Sequence, residues 1–437
     1  MNSTWRCGIT VALVGLLGWA AVGAAQTNRS ELAREILANK DLTAVLERGK
    51  ALLATGLNAG SGYGEVWIRD LNTFIELALE VQDREQIRES LLIFFHFQGD
   101  DGNIIDGYIP AEKANVAYEY ILAATMPQLR GHKNTVETDQ EASLVQAIAK
   151  YVRKTGDTSI LRAKVDGLAV QDRLEMALRF LLEHRYDTEH GLLWGATTSD
   201  WGDVQPEHSW GVRLDESSHR SIDIYDNAMF VIAINDYLEL IGPESPKAEQ
   251  WKRVAAKIKT NTREHLWDAA RHKFRPHIYL EGSLFPKDFD EDRIYYHGGT
   301  AVAIEAGMLS RDEVLLVLGD MVNNMRFAGA GSIGLTVYPP YPKRYFKNPS
   351  MAPFSYQNGG DWTWFGGRTI QQLIAHGYIE AAYRELLPMI ERVEANDGFF
   401  EWYTIANEPK GSGLFRGSAG VLGKAIQMLQ AWAREQQ

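Results

Sequence analysis

The sequence predicts an all-α fold, an (α/α)6 barrel in which an inner ring of six helices is wrapped by an outer six. Three observations lead to this prediction. Apolar residues recur with helical spacing in twelve segments, many of these segments come in closely joined pairs, and long connections rich in Gly, Trp, Tyr and Asp separate the pairs. No change in composition marks a linker, so we expect residues 26–437 to form one barrel domain.

Several of the predicted helices have clear start or stop signals. Ser310 to Glu313 has the sequence of a capping box, Gly156 and Gly242 stand just past helix ends, and Gly377 indicates a tight turn between two helices. The twelve segments lie near residues 30–56, 68–81, 84–97, 138–154, 158–184, 222–241, 245–266, 297–307, 310–325, 363–376, 378–393 and 418–435.

The connections between the pairs are long, and in this architecture they lie over one end of the barrel. Long loops in a compact domain are usually functional, so we expect the site at that end. Two of them, 185–221 and 267–296, have a weak pattern for a short β-hairpin. The long connections are about 98–137, 185–221, 267–296, 326–362 and 394–417.

The composition excludes some partners. The chain has 437 residues, of which 45% are hydrophobic and 23% charged, as in ordinary globular proteins. Its 57 acidic and 45 basic residues give a net charge of -12. A nucleic-acid partner is therefore not expected, because phosphate binding needs a basic surface.

The first 25 residues have the pattern of a secretory signal peptide. Arg6 precedes an apolar run over residues 9–22, and small residues, Gly23 to Ala25, follow it. A membrane anchor is the alternative, but the run is short for a span. We expect cleavage and export to a bacterial periplasm or exterior, with no membrane association afterwards. The only cysteine, Cys7, lies in this segment, so the mature chain has no disulfide.

The first motif that could carry chemistry runs from Tyr63 to Asp70 and enters a helix from a Gly-rich loop. Trp67, Arg69 and Asp70 suit recognition of a sugar, since the carboxylate can accept from hydroxyls, the guanidinium can fix the carboxylate and the indole can stack on the ring. The alternative is a helix cap with a solvated Arg.

The second motif, residues 195–203, places Asp200 and Asp203 on either side of Trp201. Asp and Gly also favour a simple turn. A strongly apolar helix begins shortly afterwards, near residue 222, and its Tyr225 and Asn227 are candidates for the wall of a sugar site.

The third motif, residues 356–368, is rich in Gly and aromatic residues, which is typical of a loop where backbone and rings approach a ligand closely. A packing turn at the barrel mouth is the alternative. Its candidate ligand-binding residues are Asn358, Gly359, Asp361, Trp362, Trp364 and Arg368.

The fourth motif, residues 397–403, places Glu401 between aromatic residues, with Trp402 directly after it. An exposed Glu does not need such neighbours, and a fully buried Glu needs a partner. A carboxylate in a cleft satisfies both conditions, and aromatic neighbours raise its pKa by desolvation.

These four motifs, in this order on twelve helices, resemble the inverting six-hairpin glycosidases. The likeness is greatest to the alkaline/neutral invertases and to the amylo-α-1,6-glucosidase domain of glycogen debranching enzymes. Residues 67–70 resemble their Arg-Asp motif, residues 201–203 their acid motif, 356–362 their Asn-Gly-Gly stretch, and 400–403 their Pro-Glu-Tyr-Tyr motif. Three positions depart from the invertase pattern and bear on sucrose specificity more than on the reaction: Gly202, Val204 and Asp223.

The resemblance implies an exo-acting, inverting glycoside hydrolase that releases a terminal, glucose-like, α-linked sugar from an oligosaccharide or glycoside, without a cofactor or metal. Asp203 would be the general acid and Glu401 the general base, with their carboxyl groups about 6.5–9.5 Å apart. Asp200 is the rival acid. The terminal sugar would be bound by Trp67, Arg69, Asp70, Asp200, Trp201, Tyr225, Asn227, Asn358, Gly359, Asp361, Trp362, Trp364, Arg368 and Trp402.

Two other classes of protein fit parts of the pattern. A polysaccharide lyase of the same barrel type would use a His or Tyr base and an Arg to neutralise a uronate. A non-catalytic, exported glycan-binding protein would need the aromatic residues but not the carboxylate pair. Asp101, Asn103 and Glu112 have a calcium-loop spacing that we treat as coincidence, because Asp106 stands where Gly is needed. The lyase candidates are His96, His208, His219, His297, Arg213 and Arg220.

Overall fold

Six helices form a closed inner ring in the computed structural model, which describes residues 29–114, 119–210 and 212–437. Each inner helix packs against the next, and the last closes the ring against the first. The (α/α)6 fold class is thus confirmed. The inner helices are α3 (Ile68–Ala78), α5 (Gln140–Thr155), α7 (Ile224–Ile241), α9 (His297–Glu305), α11 (Thr363–Ala375) and α13 (Arg416–Glu435).

Six outer helices cover this ring, and a further described helix, α1, covers residues 29–38. The outer helices are amphipathic, with one apolar face against the ring, whereas α9 is buried from His297 to Ile304. The outer helices are α2 (Lys40–Leu53), α4 (Arg84–His96), α6 (Val170–His184), α8 (Ala248–His265), α10 (Arg311–Ala328) and α12 (Ile379–Asn396).

Two predicted helical segments are divided in the structure. Segment 30–56 is interrupted at Asn39, whose side chain accepts hydrogen bonds from the first turn of α2. Segment 158–184 begins as a short 3-10 turn and a two-stranded hairpin, because Asp166 and Gly167 both adopt positive φ and reverse the chain. Periodicity did not reveal either break. The 3-10 turns are Ala111–Lys113, Thr158–Arg162, Glu291–Arg293 and Pro349–Met351.

Short antiparallel strands lie within the loops that connect the helices. The hairpins β6–β7 and β10–β11 confirm the weak pattern in the second and third long connections. The strands are β1 (Val66–Trp67), β2 (Gly107–Pro110), β3 (Leu129–His132), β4 (Lys164–Val165), β5 (Leu168–Ala169), β6 (Tyr186–Asp187), β7 (Leu192–Leu193), β8 (Gly195–Ala196), β9 (Arg220–Ile222), β10 (Trp267–Asp268), β11 (Lys273–Phe274), β12 (Ile278–Tyr279), β13 (Tyr295–Tyr296), β14 (Val337–Tyr338), β15 (Trp402–Tyr403) and β16 (Pro409–Lys410).

The long connections all lead into the N-terminal ends of the inner helices, so they gather at one end of the barrel. Within the described ranges, no helix is both long and apolar enough to cross a membrane. The predicted signal peptide, residues 1–25, lies outside the described residues.

Candidate active site

A cavity of about 240 Å3 opens among the loops at the N-terminal ends of the inner helices. It gathers side chains from all four sequence motifs. Eight of the predicted site residues line it: Trp67, Arg69, Asp70, Trp201, Asp203, Trp362, Trp364 and Glu401. Nine further residues complete its wall: Ala59, Tyr63, Asp106, His132, Asn134, Val212, Tyr356, Gln357 and Phe415.

Asp203 is partly buried and is oriented by Gln357. The amide Nε2 of Gln357 donates to Oδ1 of Asp203 over 2.7 Å. Gly202 makes this arrangement possible, since a Cβ at that position would come within 2.5 Å of the other amide atom of Gln357, Oε1. The absence of a side chain at residue 202, a departure from the invertase pattern, therefore has a local structural reason.

Glu401 is 5% exposed, and both of its carboxyl oxygens accept hydrogen bonds. The Tyr63 hydroxyl donates to Oε1 over 3.1 Å, and the backbone N–H of Ser412 donates to Oε2 over 3.1 Å. Burial raises the pKa of Glu401, and the nearby charge of Asp203 adds to the rise, while the two donors oppose it. Gly411 leaves room for the carboxylate, because a Cβ there would lie 2.4 Å from Oε2.

An aromatic cluster forms part of the cavity wall. Trp201 meets Trp362 and Trp364 edge to face, with ring centroids 4.8 and 5.1 Å apart. Phe415 packs against both of the latter rings, and all four side chains are almost completely buried. The cavity therefore has an aromatic section of wall that a sugar ring can contact.

Arg69 and Asp70 both line the cavity, but the arginine does not fix the aspartate as the motif suggested. The Arg69 guanidinium instead forms ion pairs with Asp139, at 2.7 Å, and with Glu137, both from the segment that leads into α5. Oδ1 of Asp70 has no hydrogen-bond partner among the described residues. Burial raises the pKa of Asp70 to about 7.

Asp106 and His132 were not predicted as site residues, and the first sheet brings them to the cavity. Trp67, Gly107 and His132 lie opposite one another across strands β1, β2 and β3. Asp106 directly precedes β2, and its Oδ2 lies 4.0 Å from Nδ1 of His132. Burial raises the pKa of Asp106 to about 7 and lowers that of His132 to about 4.

The buried Asp106 should make the protein less stable as the pH rises. Its folded-state pKa is about 7 against an ordinary value of 3.8, so the folded chain binds more protons than the unfolded chain between these values, and stability falls across this range. An Asp106→Asn variant should therefore be more stable than the wild type near pH 8, by at most about 4 kcal/mol, and should lose this advantage near pH 4. Thermal unfolding at both pH values tests this. The exposed Asp288→Asn is the control, and an equal advantage at both pH values would contradict the prediction.

Asp200, the rival acid, does not line this cavity. It is 1% exposed, its φ is +60°, and its Oδ1 accepts from the backbone N–H of Gly299 over 2.8 Å, in the first turn of α9. Burial raises its pKa to about 8. The side chain joins the loop that bears Asp203 to α9 and, together with Trp201, lines a separate, much smaller space.

Two predicted wall residues on α7 are also structural. The Tyr225 hydroxyl donates to Oδ2 of Asp139 over 2.8 Å and so helps to hold the partner of Arg69. Asn227 exchanges hydrogen bonds with the backbone of Leu193 over 2.8 and 3.0 Å, which attaches β7 to the helix. Neither side chain lines the cavity.

Most of the polar residues of the Gly-rich third motif hold the loop rather than a ligand. The Asn358 side chain accepts a hydrogen bond from the backbone N–H of Tyr341 and donates one to the carbonyl oxygen of the same residue. Asp361 is fully buried and pairs with Arg392 and Ser332. The remaining members do not line the cavity: Gly359 has φ +88° and its N–H donates to Thr336, Arg368 pairs with Glu305 at 2.8 Å, and Trp402 of the fourth motif packs behind Tyr356.

The arginines that a lyase would use do not line the cavity either. Arg213 is paired with Glu119 and Arg220 with Glu281, all at exposed positions. Over the ranges that the structure describes, no group of three or more His, Cys, Asp or Glu side chains could hold a metal ion.

Residues 39–364, more than half of the chain, match the family model described as the glycosyl hydrolase 94 superfamily, catalytic domain. The matched range contains Asp203 and ends before Glu401. No curated protein sequence matches the chain.

Several solved structures share the fold. An uncharacterised conserved protein from Thermus thermophilus is 15% identical with a TM-score of 0.63, over 87% of this chain and 99% of its own. A GH63 mannosylglycerate hydrolase from the same organism, solved in complex with glucose, is 15% identical with a TM-score of 0.62, over 89% and 99%. A rhamnosidase from Klebsiella oxytoca with rhamnose bound is 13% identical with a TM-score of 0.58, over 89% and 64%.

Proposed function

The chain belongs to the glycosyl hydrolase 94 superfamily, and we propose that this glycoside hydrolase is exo-acting and inverting and releases a terminal, glucose-like, α-linked sugar from an oligosaccharide or glycoside. The observation that carries the proposal is the presence of two carboxyl groups, Asp203 and Glu401, in the wall of one cavity that aromatic rings also line. Hydrolysis of a glycosidic bond needs such a pair on the two faces of the sugar.

The hydrogen bonds support different roles for the two carboxyl groups. Gln357 occupies one oxygen of Asp203, which leaves the other free to carry a proton to the glycosidic oxygen. Glu401 accepts at both oxygens, from a hydroxyl and a backbone N–H, and these two donors oppose the rise in its pKa that burial causes. Asp203 then acts as the acid, and Glu401 takes a proton from the water that attacks the anomeric carbon on the opposite face.

The shape of the cavity supports exo action. The cavity lies among the loops at one end of the barrel, and packed indole rings form part of its wall. We propose that a chain enters from the loop side, with its terminal sugar against these rings and its next residue towards the solvent. Trp67, Arg69 and Asp70 lie on the wall beside that terminal ring.

Release of sugar by the purified protein tests the proposed function. We expect it to liberate the aglycone from at least one aryl α-glycoside, and terminal monosaccharide from the matching disaccharide. A Glu401→Gln preparation made in parallel controls for contaminating enzymes. Failure to cleave any member of a broad panel of aryl glycosides and disaccharides, by a protein shown to be folded, would contradict the proposal.

Gln357 should matter for turnover rather than for binding, because it orients the acid. We expect Gln357→Met to lower kcat about tenfold to a hundredfold and to leave KM nearly unchanged, because a hydrogen bond to the carboxylate that Asp203 becomes as it gives up its proton contributes about 1.5–3 kcal/mol. Steady-state kinetics with the matched control Gln371→Met, whose amide donates to Val421 away from the cavity, checks this. An unchanged kcat would show that Gln357 does not position the acid.

We also propose that the enzyme is exported and that residues 1–25 are removed, on the sequence pattern described above. Expression of the full chain in a bacterial host followed by N-terminal sequencing of the extracytoplasmic protein should give a chain that begins at Gln26. Recovery of the uncleaved chain from the cytoplasm alone would contradict export.

A further inference from the structure

The outer helix α10 exposes large apolar side chains to solvent. Its buried side consists of Val314, Val317, Leu318, Met321 and Val322. Three apolar side chains lie outside this buried side, with 49%, 47% and 76% of their surfaces exposed: Leu315, Leu316 and Phe327. Together with four further exposed residues they form what we call the α10 face: Asp312, Gly319, Asn323 and Arg326. Large apolar side chains grouped on one exposed face, with polar residues beside them, are typical of a contact with another protein.

The α10 face carries no net charge, although the chain as a whole has a net charge of -12. Its two charged residues, Asp312 and Arg326, are exposed, and neither forms an ion pair within the described part of the chain. The other acidic side chains of the helix, Glu313 and Asp320, pair with basic residues outside it. Two copies of an acidic protein repel each other over most of their surfaces. On this face the repulsion is smallest, and one cation and one anion are left without a partner.

The α10 face is complementary to itself. When two antiparallel copies are related by a two-fold axis, each contact between them occurs twice. The register that sets Leu316 of one copy against Phe327 of the other also brings Arg326 of one copy within about one and a half turns of Asp312 of the other, roughly 8 Å, which an arginine side chain can span. Gly319 lies near the centre of this register, and a Cβ there would meet no atom within 4 Å. Two helix backbones can therefore approach closely at this point.

We propose that two copies of this chain associate through the α10 face, antiparallel about a two-fold axis near the middle of the helix. A helix of 18 residues is about 27 Å long, and its exposed face can bury on the order of 300 Å2, whereas a stable interface takes about 800 Å2 from each partner. The dimer is therefore weak and reversible, with a Kd in the micromolar range. The residues that line the catalytic cavity do not include any from α10, which is described over its whole length, so each copy keeps its own site.

Sedimentation equilibrium of the purified protein tests the association. Between about 1 and 200 µM, the mean mass should rise from that of one chain towards that of two. Phe327→Asp should keep the mass of one chain throughout, because it places a charge in the apolar contact, and its melting temperature should be unchanged because the side chain is 76% exposed. The matched control is Leu122→Asp, at a side chain 69% exposed between β2 and β3, and it should associate like the wild type. A wild type that stays a single chain, or association that survives Phe327→Asp, would overturn the proposal.

Charge reversal tests the antiparallel register. Asp312→Arg and Arg326→Glu should each raise the Kd of the dimer about threefold to tenfold at low ionic strength, because two like-charged pairs then face each other in every dimer. The variant with both substitutions restores the pairs with their signs exchanged, and its Kd should return to within about twofold of the wild-type value. A double variant that associates no better than the single variants would show that these residues do not meet and would overturn the proposed register.

Discussion

An Asp203→Asn enzyme should bind its substrate normally and turn over glycosides with poor leaving groups about a thousandfold more slowly, because general acid catalysis contributes roughly 10²–10⁴. The substitution should not disturb the fold. The Oδ1 of an Asn can still accept the hydrogen bond from Gln357, and residue 203 is only partly buried. What is lost is the proton for the glycosidic oxygen.

The leaving group distinguishes a lost acid from a distorted site. The fluoride ion leaves a glycosyl fluoride with little help from a proton. Asp203→Asn should therefore lose far less activity on a glycosyl fluoride than on an alkyl glycoside. Parallel kinetics on both substrates measure the difference, with Asp320→Asn as the control at a remote carboxylate. Near-normal hydrolysis of the alkyl glycoside, or an equal loss on both substrates, would remove Asp203 from the role of acid.

Glu401→Gln should lower the turnover of alkyl glycosides and of glycosyl fluorides to a similar extent, by about a thousandfold or more. Water must be activated in both reactions, whichever group leaves. The carboxamide can be accommodated. Its oxygen can accept from Ser412, and the Tyr63 hydroxyl can accept from its NH2 group instead of donating. We therefore expect an unchanged melting temperature within a few degrees.

The pair of variants gives a sharper test than either alone. Asp203→Asn should depend strongly on the leaving group and Glu401→Gln should not. Pre-steady-state binding measurements on both variants should show that the substrate still enters the cavity. If the dependence on the leaving group were found in Glu401→Gln instead, the two roles would have to be exchanged.

The helical ring could be predicted from the sequence because its physical origin is local and repeated. Inner helices such as α9 are apolar on all sides, outer helices are amphipathic, and both patterns are visible in residue periodicity. The breaks were not visible. Asn39 separates α1 from α2 by a single side-chain cap, and the turn at Asp166 and Gly167 depends on positive φ at two residues.

The site could be predicted only in part. Aromatic neighbours in the sequence identified Asp203 and Glu401 as cavity residues, and both line one cavity in the structure. Asp106 and His132 could not be found, because strand pairing between distant segments brings them beside Trp67 and no local signal marks such pairing. Three further lining residues belong to the motifs but were not predicted, because neither a charge nor a pattern of aromatic neighbours distinguished them from the rest: Tyr63, Tyr356 and Gln357.

Four of the predicted binding residues that do not line the cavity come from the Gly-rich motif. A loop with several glycines has little intrinsic conformational preference, so buried side chains must fix it. Asn358 and Asp361 perform this task through hydrogen bonds to backbone and to Arg392. Residues of this kind resemble ligand-binding residues in a sequence because both need a polar group in a tightly packed loop.

The anomeric configuration of the first product tests most directly whether Asp203 and Glu401 hydrolyse a glycoside by a single displacement. Proton NMR should follow the anomeric signals during hydrolysis of an α-linked substrate, before mutarotation mixes the anomers. We expect the β-anomer of the released sugar to accumulate first and the α-anomer to grow in afterwards. Initial accumulation of the α-anomer would demonstrate retention and contradict the roles assigned to the two carboxylates.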